Sequence, residues 1–319
     1  MTNVASVAGL AAGLHPAVRA IVLEVLARGV GSSLSTNVDF KARYNIGAGT
    51  MQRALDLLRD RGAVTVANRG HLGRRVEQID VGQAWQAAGL APVRVILSPG
   101  GPIEIDVLAS RLADELTRLG VSHTTHHLRG GAGRLAALRS GEYDLAVVSA
   151  GTWSDAARRS ASTSSEVIRK LAPGTYYAPG RLVVVTRQGQ DWASIKRVAI
   201  DRESPDHVAL TLSEFPLTEG FDYVDAPFPS VPAWVLRDRV DAGIWHETVS
   251  VIPLDVAGVE LAAPQRQAAT EAWDALSGVT LIGSEKRPEL RSVIEALQLD
   301  DLRTAQQTAL EAAHDDSLS

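Results

Sequence analysis

The chain has 319 residues, 45% of them hydrophobic and 22% charged, with a formal net charge of -5 at pH 7 and no cysteine. This length and balance suit an ordinary globular protein with a small domain beside a larger one or pair, and they exclude a disordered or fibrous chain. The lack of cysteine excludes disulfides, thiolate metal sites and cysteine nucleophiles.

The charge is unevenly placed. Residues 1–79 hold ten Lys/Arg against five Asp/Glu, a balance of +5, while the remainder carries -10. Such an asymmetry is expected where one end of a protein meets phosphates and the rest stays off them. The opening residues, MTNVASVAGLAAGLHPAVRAIVLEVL, are apolar but lack a cationic leader and place Glu24 within the apolar run. No uncharged apolar stretch of about 18 residues occurs, so no secretory signal, membrane span or membrane partner is expected, and the chain is expected to be cytoplasmic.

In chain order, Val18, Ile21, Val22, Val25 and Leu26 recur with helical spacing between Pro16, which suits a first turn, and Gly29, which suits a stop. Ser35 or Thr36 caps a second helix, with Val38, Phe40 and Tyr44 expected inward and Lys41 and Arg43 outward. Residues 46–49, Ile-Gly-Ala-Gly, form a tight corner before a third helix from about Thr50 to Arg61. Its buried side is Met51, Ala54, Leu55, Leu57 and Leu58; Gln52, Arg53, Asp56 and Arg59 are polar. Two strands follow, 63–66 and 73–76, joined by a turn over Asn68, Arg69, Gly70 and His71.

This order predicts a winged helix-turn-helix. Gln52 and Arg53, just after Thr50 at the start of the third helix, suit base edges, since an amide matches adenine and a guanidinium fork matches guanine. Lys41, Arg43, Arg74 and Arg75 suit phosphates, and Arg69 with His71 at the wing tip suits a minor groove. The bland alternative is a solvated basic face on a small helical domain.

The run FKARYNIGAGTMQRALDLLRDRGAVTVANRGHLGRRV resembles the winged helix of GntR-type bacterial repressors, with Tyr44, Thr50, Ala54 and Leu55 matching the general pattern. More narrowly, RGAVTVANRGHLGRRVEQID resembles the YhfZ-like branch of such regulators, and the likeness continues into LRSGEYDLAVVS. The resemblance implies a DNA-binding domain over residues 1–80. Common members place Ser-Arg where this chain has Gly47-Ala48, and that Arg commonly touches DNA, so more of the recognition falls to Arg53 and the wing.

Residues 81–92, ending in Gly-Leu-Ala-Pro, are expected to be a linker. Strands then alternate with helices: a strand over Val93 to Leu97, a helix from about Ile103 to Leu119, a strand from Ser122 to Leu128, a helix opened by residues 130–133 (Gly-Gly-Ala-Gly) and a strand from Asp144 to Ser149. This α/β alternation implies a parallel sheet with ligands outside its carboxyl ends. Ser98 with Gly100, Gly131 with Ala132 and Arg134, and Ser149 with Ala150 fall at such ends and should converge on one cleft. The segment 138–149 also resembles type II periplasmic-binding-protein folds, and its logic repeats at 236–245, so the implied architecture over 93–300 is two α/β lobes with a cleft between them. Arg181 to Thr186 and Arg197 to Ile200 are expected as second-lobe strands, with Ser204 or Asp206 capping a helix. Helices over Arg287 to Leu297 and Leu302 to Ala313 close the chain; residues 301–319 are expected to form a dimerisation arm or a loose tail.

Gly131-x-Gly133-x-x-Ala136 invites a dinucleotide, but the acid that should end the next strand is replaced by Ser149-Ala150. A helix N-terminus still favours an anion, with Arg134 as counter-charge, and the bland alternative is a tight turn. His123, His126 and His127 do not point to a metal, because neighbours on a strand face opposite ways. Trp245 suits either ligand stacking or a packed core edge. Ser204, Asp206 and His207 lack the Gly-x-Ser-x-Gly elbow of a hydrolase. No cofactor or metal is expected. The expected function is that of a homodimeric, non-enzymatic transcription regulator, bound to a double-stranded operator and responsive to a carboxylate or phosphate effector. A solute-binding protein, an enzyme on the same scaffold, or a second domain that only dimerises are the alternatives.

Overall fold

A computed structural model describes residues 14–70, 73–159, 166–248 and 256–318, with side chains through 313. The first helix, α1 (Leu14–Arg28), ends where Gly29, at φ +79°, turns its N–H back to the Val25 carbonyl at 2.8 Å. Its one buried acid, Glu24, accepts the Ser35 amide at 2.6 Å and so fixes how the chain enters the next helix. After β1 (Ser33–Leu34) come α2 (Asn37–Tyr44) and α3 (Ala48–Asp60), then β2 (Val64–Asn68) and β3 (Arg74–Ile79) as the wing, in a sheet of order β1-β3-β2. Thr36 caps α2 in a reciprocal box with Asp39, whose carboxyl the Thr36 hydroxyl and amide hold below its ordinary value. Two expectations fail here. Val38 and Tyr44 point outward, 76% and 48% exposed, because Phe40 alone fills the inner face of this two-turn helix. Helix α3 also begins two residues before Thr50, with Gly47 in extended conformation as its cap.

The expected linker is instead structured: Asp80 caps α4 (Val81–Ala87), whose Val81, Ala84, Trp85 and Ala87 are buried. Gly82 lies so close to the Leu119 carbonyl that any Cβ would overlap it. One apolar cluster therefore runs unbroken from Ile21 and Val25 of α1 through Trp85 to Leu290 and Val293 in the following domain. The Ser292 hydroxyl donates to the Leu26 carbonyl at 2.7 Å across the same seam, and the Arg287 guanidinium lies 5.5 Å from the centre of the Trp85 ring.

Lobe I is a five-stranded sheet, β5-β4-β6-β13-β7, made of β4 (Val93–Leu97), β5 (His123–His127), β6 (Leu145–Ser149), β7 (Val167–Lys170) and β13 (Val279–Gly283). The strands β5, β4 and β6 are parallel, whereas β13 runs antiparallel to both β6 and β7. Helices α5 (Ile103–Arg118), α6 (Gly131–Ser140), α7 (Ala150–Arg159) and α11 (Leu290–Ala296) complete the lobe. Lobe II has the order β10-β9-β11-β8-β12, from β8 (Leu182–Arg187), β9 (Arg197–Ile200), β10 (Asp222–Asp225), β11 (Ala242–His246) and β12 (Val259–Ala262), with α8 (Pro205–Glu214), α9 (Val231–Leu236) and α10 (Gln267–Leu276). Two crossovers join the lobes and hold each other: Tyr176 N–H donates to the Ser277 carbonyl at 2.7 Å, and Val279 N–H to the Thr175 hydroxyl at 2.9 Å. The last helix, α12 (Leu302–Leu318), is not a loose tail over its first turns. It packs on α5, buries Leu302, and Gln306 donates to the Glu104 and Thr175 carbonyls at 2.9 and 2.8 Å.

Candidate functional site

Of the expected DNA-binding residues, Lys41, Arg43, Gln52, Arg53, Arg69 and Arg75 are exposed and Thr50 and Arg74 partly so, and Arg53 donates to the Thr50 hydroxyl at 3.4 Å. Arg43 donates to the Ser35 hydroxyl at 2.8 Å and Arg75 to the Gly31 carbonyl at 2.9 Å; Lys41 and Arg69 are exposed. The ion pairs of this domain hold Arg28 and Arg59, so among the described residues Lys41, Arg43, Arg53, Arg69, Arg74 and Arg75 have no acid partner within 4.0 Å. His71 lies outside the described residues. A face with several uncompensated cations around an exposed helix is electrostatically suited to a phosphate backbone.

The second site is the cleft between the lobes, a cavity of about 380 Å³. Its lobe I wall is the start of α6. Gly130 turns at φ +80°, and Gly131 is buried against Thr152 so closely that a Cβ would overlap that side chain. Arg134, only 3% exposed, donates to the Val147 and Leu128 carbonyls at 3.0 and 2.8 Å and to the Tyr176 hydroxyl at 2.8 Å. No acid lies within ion-pair distance of it among the described residues. It is thus a buried guanidinium held rigidly by neutral groups, with two of its five N–H groups uncommitted.

Lobe II faces it with Asp201, Ser204, Asp206, Phe228 and Trp245. Among the described residues, three polar side-chain contacts cross between the lobes. Asp206 accepts the Ser149 hydroxyl at 2.5 Å, as well as the Tyr177 hydroxyl of the crossover at 2.8 Å; burial drives its carboxyl above the ordinary 3.8, although both hydroxyls and the charge of Arg134 favour the anion. Glu104 Oε1 lies 2.9 Å from His246 Nε2; burial pushes this carboxyl up, but the His246 hydrogen bond and charge together with backbone amides, that of Ala178 among them, outweigh it and hold the group below its usual range. Arg129 reaches Asp201 at 3.3 Å, and Asp201 also accepts the Phe228 amide at 2.8 Å. Beneath them His207 accepts the Asp201 amide at Nδ1, 2.8 Å away, which makes Nε2 the donor to the Ile244 carbonyl at 2.9 Å. Burial lowers its pKa to about 4, so it is neutral at pH 7.

The profile of the YhfZ C-terminal domain matches residues 80–317, and that of a helix-turn-helix domain matches residues 30–76. The chain belongs to the YhfZ family. The protein YhfZ of Escherichia coli (strain K12) is 26% identical over 245 residues, which cover 75% of this chain and 78% of that one. The crystal structure of YhfZ from Shigella flexneri superposes with a TM-score of 0.53 at 21% identity, over 70% of this chain and 91% of that one. The periplasmic aliphatic sulphonate binding protein SsuA from Escherichia coli gives 0.48 at 16% identity, over 70% and 75% of the two chains. The fold is that of a helix-turn-helix domain joined to a two-lobed α/β domain shared with that YhfZ structure.

Within this YhfZ-family chain the ten expected effector residues divide. Ser98, Gly100, Gly131, Arg134, Ser204, Asp206 and Trp245 line the cleft, whereas Ala132 is exposed, and Ser149 is buried and reaches the cleft only through Asp206. Ala150 begins α7 and does not line the cavity. Ser204 is the residue that caps α8, accepting the His207 amide at 3.3 Å, and Asp206 and His207 turn away from it to separate partners, so the three do not assemble as a triad. His126 packs on Tyr143 and His127 on the Ser98 carbonyl, and no group of three potential metal ligands occurs among the described residues. Sequence reasoning missed Glu104, Arg129, Tyr176, Tyr177, Asp201 and Phe228. No helix among the described residues is long and apolar enough to cross a membrane.

Proposed function

We propose that this protein is a homodimeric transcription regulator. Its GntR-like winged helix binds operator DNA, and its cleft takes a small anionic metabolite that modulates that binding. The observation that carries the DNA half is that six Lys/Arg side chains of the winged helix, Arg53 of α3 among them, have no acid partner within 4.0 Å among the described residues, with Gln52 exposed beside Arg53. The effector half is supported by Arg134, a buried cation whose hydrogen-bond partners are neutral and whose charge acts on the buried Asp206 from beyond ion-pair distance, beside the N-terminus of a ten-residue helix that favours an anion. The ligand would work by linkage, shifting the lobe arrangement only as far as it binds one arrangement better than the other. Ser149, Asp206, Glu104 and His246 form contacts that such a shift would make or break.

The test is binding of the purified protein to duplex DNA from its own upstream region, titrated over salt beside Arg53→Ala. The expected result is specific binding whose logarithm falls linearly with log salt, by about 0.9 per phosphate neutralised, and a loss of preference over random DNA in the variant. Random-site selection that returns no preferred sequence would overturn the DNA-reading function. Small carboxylates and inorganic phosphate, added to the preferred duplex, are expected to change its affinity; if none does, the anionic effector is wrong.

A further inference from the structure

Gln52 does not hang free on the recognition helix. Its Oε1 accepts from Arg74 Nη2 at 3.2 Å and its Nε2 donates to Asp56 Oδ1 at 3.2 Å. The other end of the Arg74 fork, Nη1, donates to Asn37 Oδ1 at 2.9 Å in the first turn of α2, and Asp56 is held in turn by Arg59 at 3.0 Å. A chain of polar contacts thus runs from α2 through the wing strand β3 to α3, with Gln52 at its centre. The chemistry of the neighbours decides which end of the amide is which, since only oxygen can accept from a guanidinium and only NH2 can donate to a carboxylate.

Each end of an amide has two hydrogen-bonding positions. The clamp uses one lone pair and one N–H and leaves one of each, the complementary pair that the N6 and N7 edge of adenine requires. We infer that Gln52 is a pre-oriented adenine reader and that Arg74, though placed where a phosphate contact is expected, is the residue that positions it. Orientation set before binding removes the rotamer entropy that a free glutamine would lose on the DNA. Arginine is required because it spans two acceptors on two different helices; lysine would keep the charge but supplies no planar fork.

The inference rests on the DNA-reading function proposed above, and the two can fail separately. Full-length wild type, Gln52→Ala, Arg74→Lys, Arg74→Ala and the double variant Gln52→Ala/Arg74→Lys would each be taken through selection from a random duplex library, followed by salt-titrated binding to the selected site and to the site changed at its preferred adenine. Arg74→Lys is expected to lose about tenfold in discrimination at the same base pair as Gln52→Ala. It should keep the wild-type salt slope and have no further effect on base preference when combined with Gln52→Ala. If Arg74→Lys keeps the adenine preference, or Arg74→Ala weakens all sites equally and lowers the salt slope by about 1, Arg74 is a phosphate contact and the clamp is wrong. A wild type that selects no sequence overturns the DNA-reading function itself, and the clamp with it.

Discussion

The winged helix meets lobe I across an apolar seam, whereas the walls of the cleft between lobe I and lobe II meet through hydrogen bonds among carboxyl, hydroxyl, imidazole and guanidinium groups, although the same apolar cluster continues past the crossovers into Leu182, Val198 and Leu210 of lobe II. In the seam, Ala17, Ile21, Val25 and Leu26 of α1 are fully buried in a cluster continuous with Leu290 and Val293. Such burial gains about 25 cal/mol per Å² and has no alternative partner when the surfaces part, since water repels both. At the cleft, Ser149, Tyr177, Asp206, Glu104 and His246 can exchange one another for water or a ligand at a net cost of about 1 kcal/mol per bond. The difference assigns the two joints different work. On the function proposed above, the helix-turn-helix head would move with lobe I, and the cleft would be the joint through which a small molecule acts.

The largest expected effect lies in the seam. Ile21→Ala should destabilise the protein by about 2–5 kcal/mol, as core truncations do, and calorimetry should show the head and lobe I melting together at a lower temperature. A head that melts alone, with lobe I unchanged, would mean that the seam does not join them. Next comes the lobe II wall of the cleft. His207 titrates at about 4 when folded against an ordinary 6.5, so the folded protein binds fewer protons than the unfolded chain between those values. Its contribution, about 3 kcal/mol, is fully present above pH 6.5 and is lost as pH falls toward 4. Denaturant unfolding over that range, with His207→Gln as the comparison, should give a shallower pH slope for the variant; equal slopes would sink this account of the wall.

The head and the cleft also differed in how far they could be seen in the sequence. The head was legible because its signals are local: glycines at the corners, a capping threonine, and a cluster of cations in an acidic chain. Val38 and Tyr44 misled because helical spacing alone does not say how wide a face a two-turn helix buries. Helix α4 carries an acceptable pattern, Asp80 as cap with Val81, Ala84, Trp85 and Ala88, but Gly82 and the Gly-Leu-Ala-Pro that follows resemble a linker until Gly82 is seen pressed against the Leu119 carbonyl. Strand β13 was hidden for a topological reason. It is buried at all five residues, so it shows no alternation, and its partner β6 lies more than a hundred residues earlier. The glycine turn and Arg134 were visible as chemistry, yet the burial of Arg134 among neutral hydrogen-bond partners depends in part on Tyr176 of the crossover, which no local pattern announces.

The smallest effect gives the sharpest comparison, because one chemical deletion can be made in both joints. Ser292→Ala removes a hydroxyl that donates to the Leu26 carbonyl across the seam, and Tyr177→Phe removes one that donates to Asp206 in the cleft. Ser292→Ala should cost about 1 kcal/mol in overall stability, the usual net value of a hydrogen bond between neutral groups, and Tyr177→Phe about 1–3 kcal/mol, because its acceptor is a carboxyl group. Their effects on geometry should differ. With the apolar seam intact, Ser292→Ala leaves the head where it was, so distances between spin labels on α3 and on lobe I should keep their wild-type distribution. Tyr177→Phe removes one of the two hydroxyls that hold Asp206 at the lobe junction, and labels on lobe I and lobe II should show a broader, longer distribution, narrowed again by any anion that the cleft accepts. A head loosened by Ser292→Ala, or lobes indifferent to Tyr177→Phe, would reverse the assignment of the rigid and the movable joint.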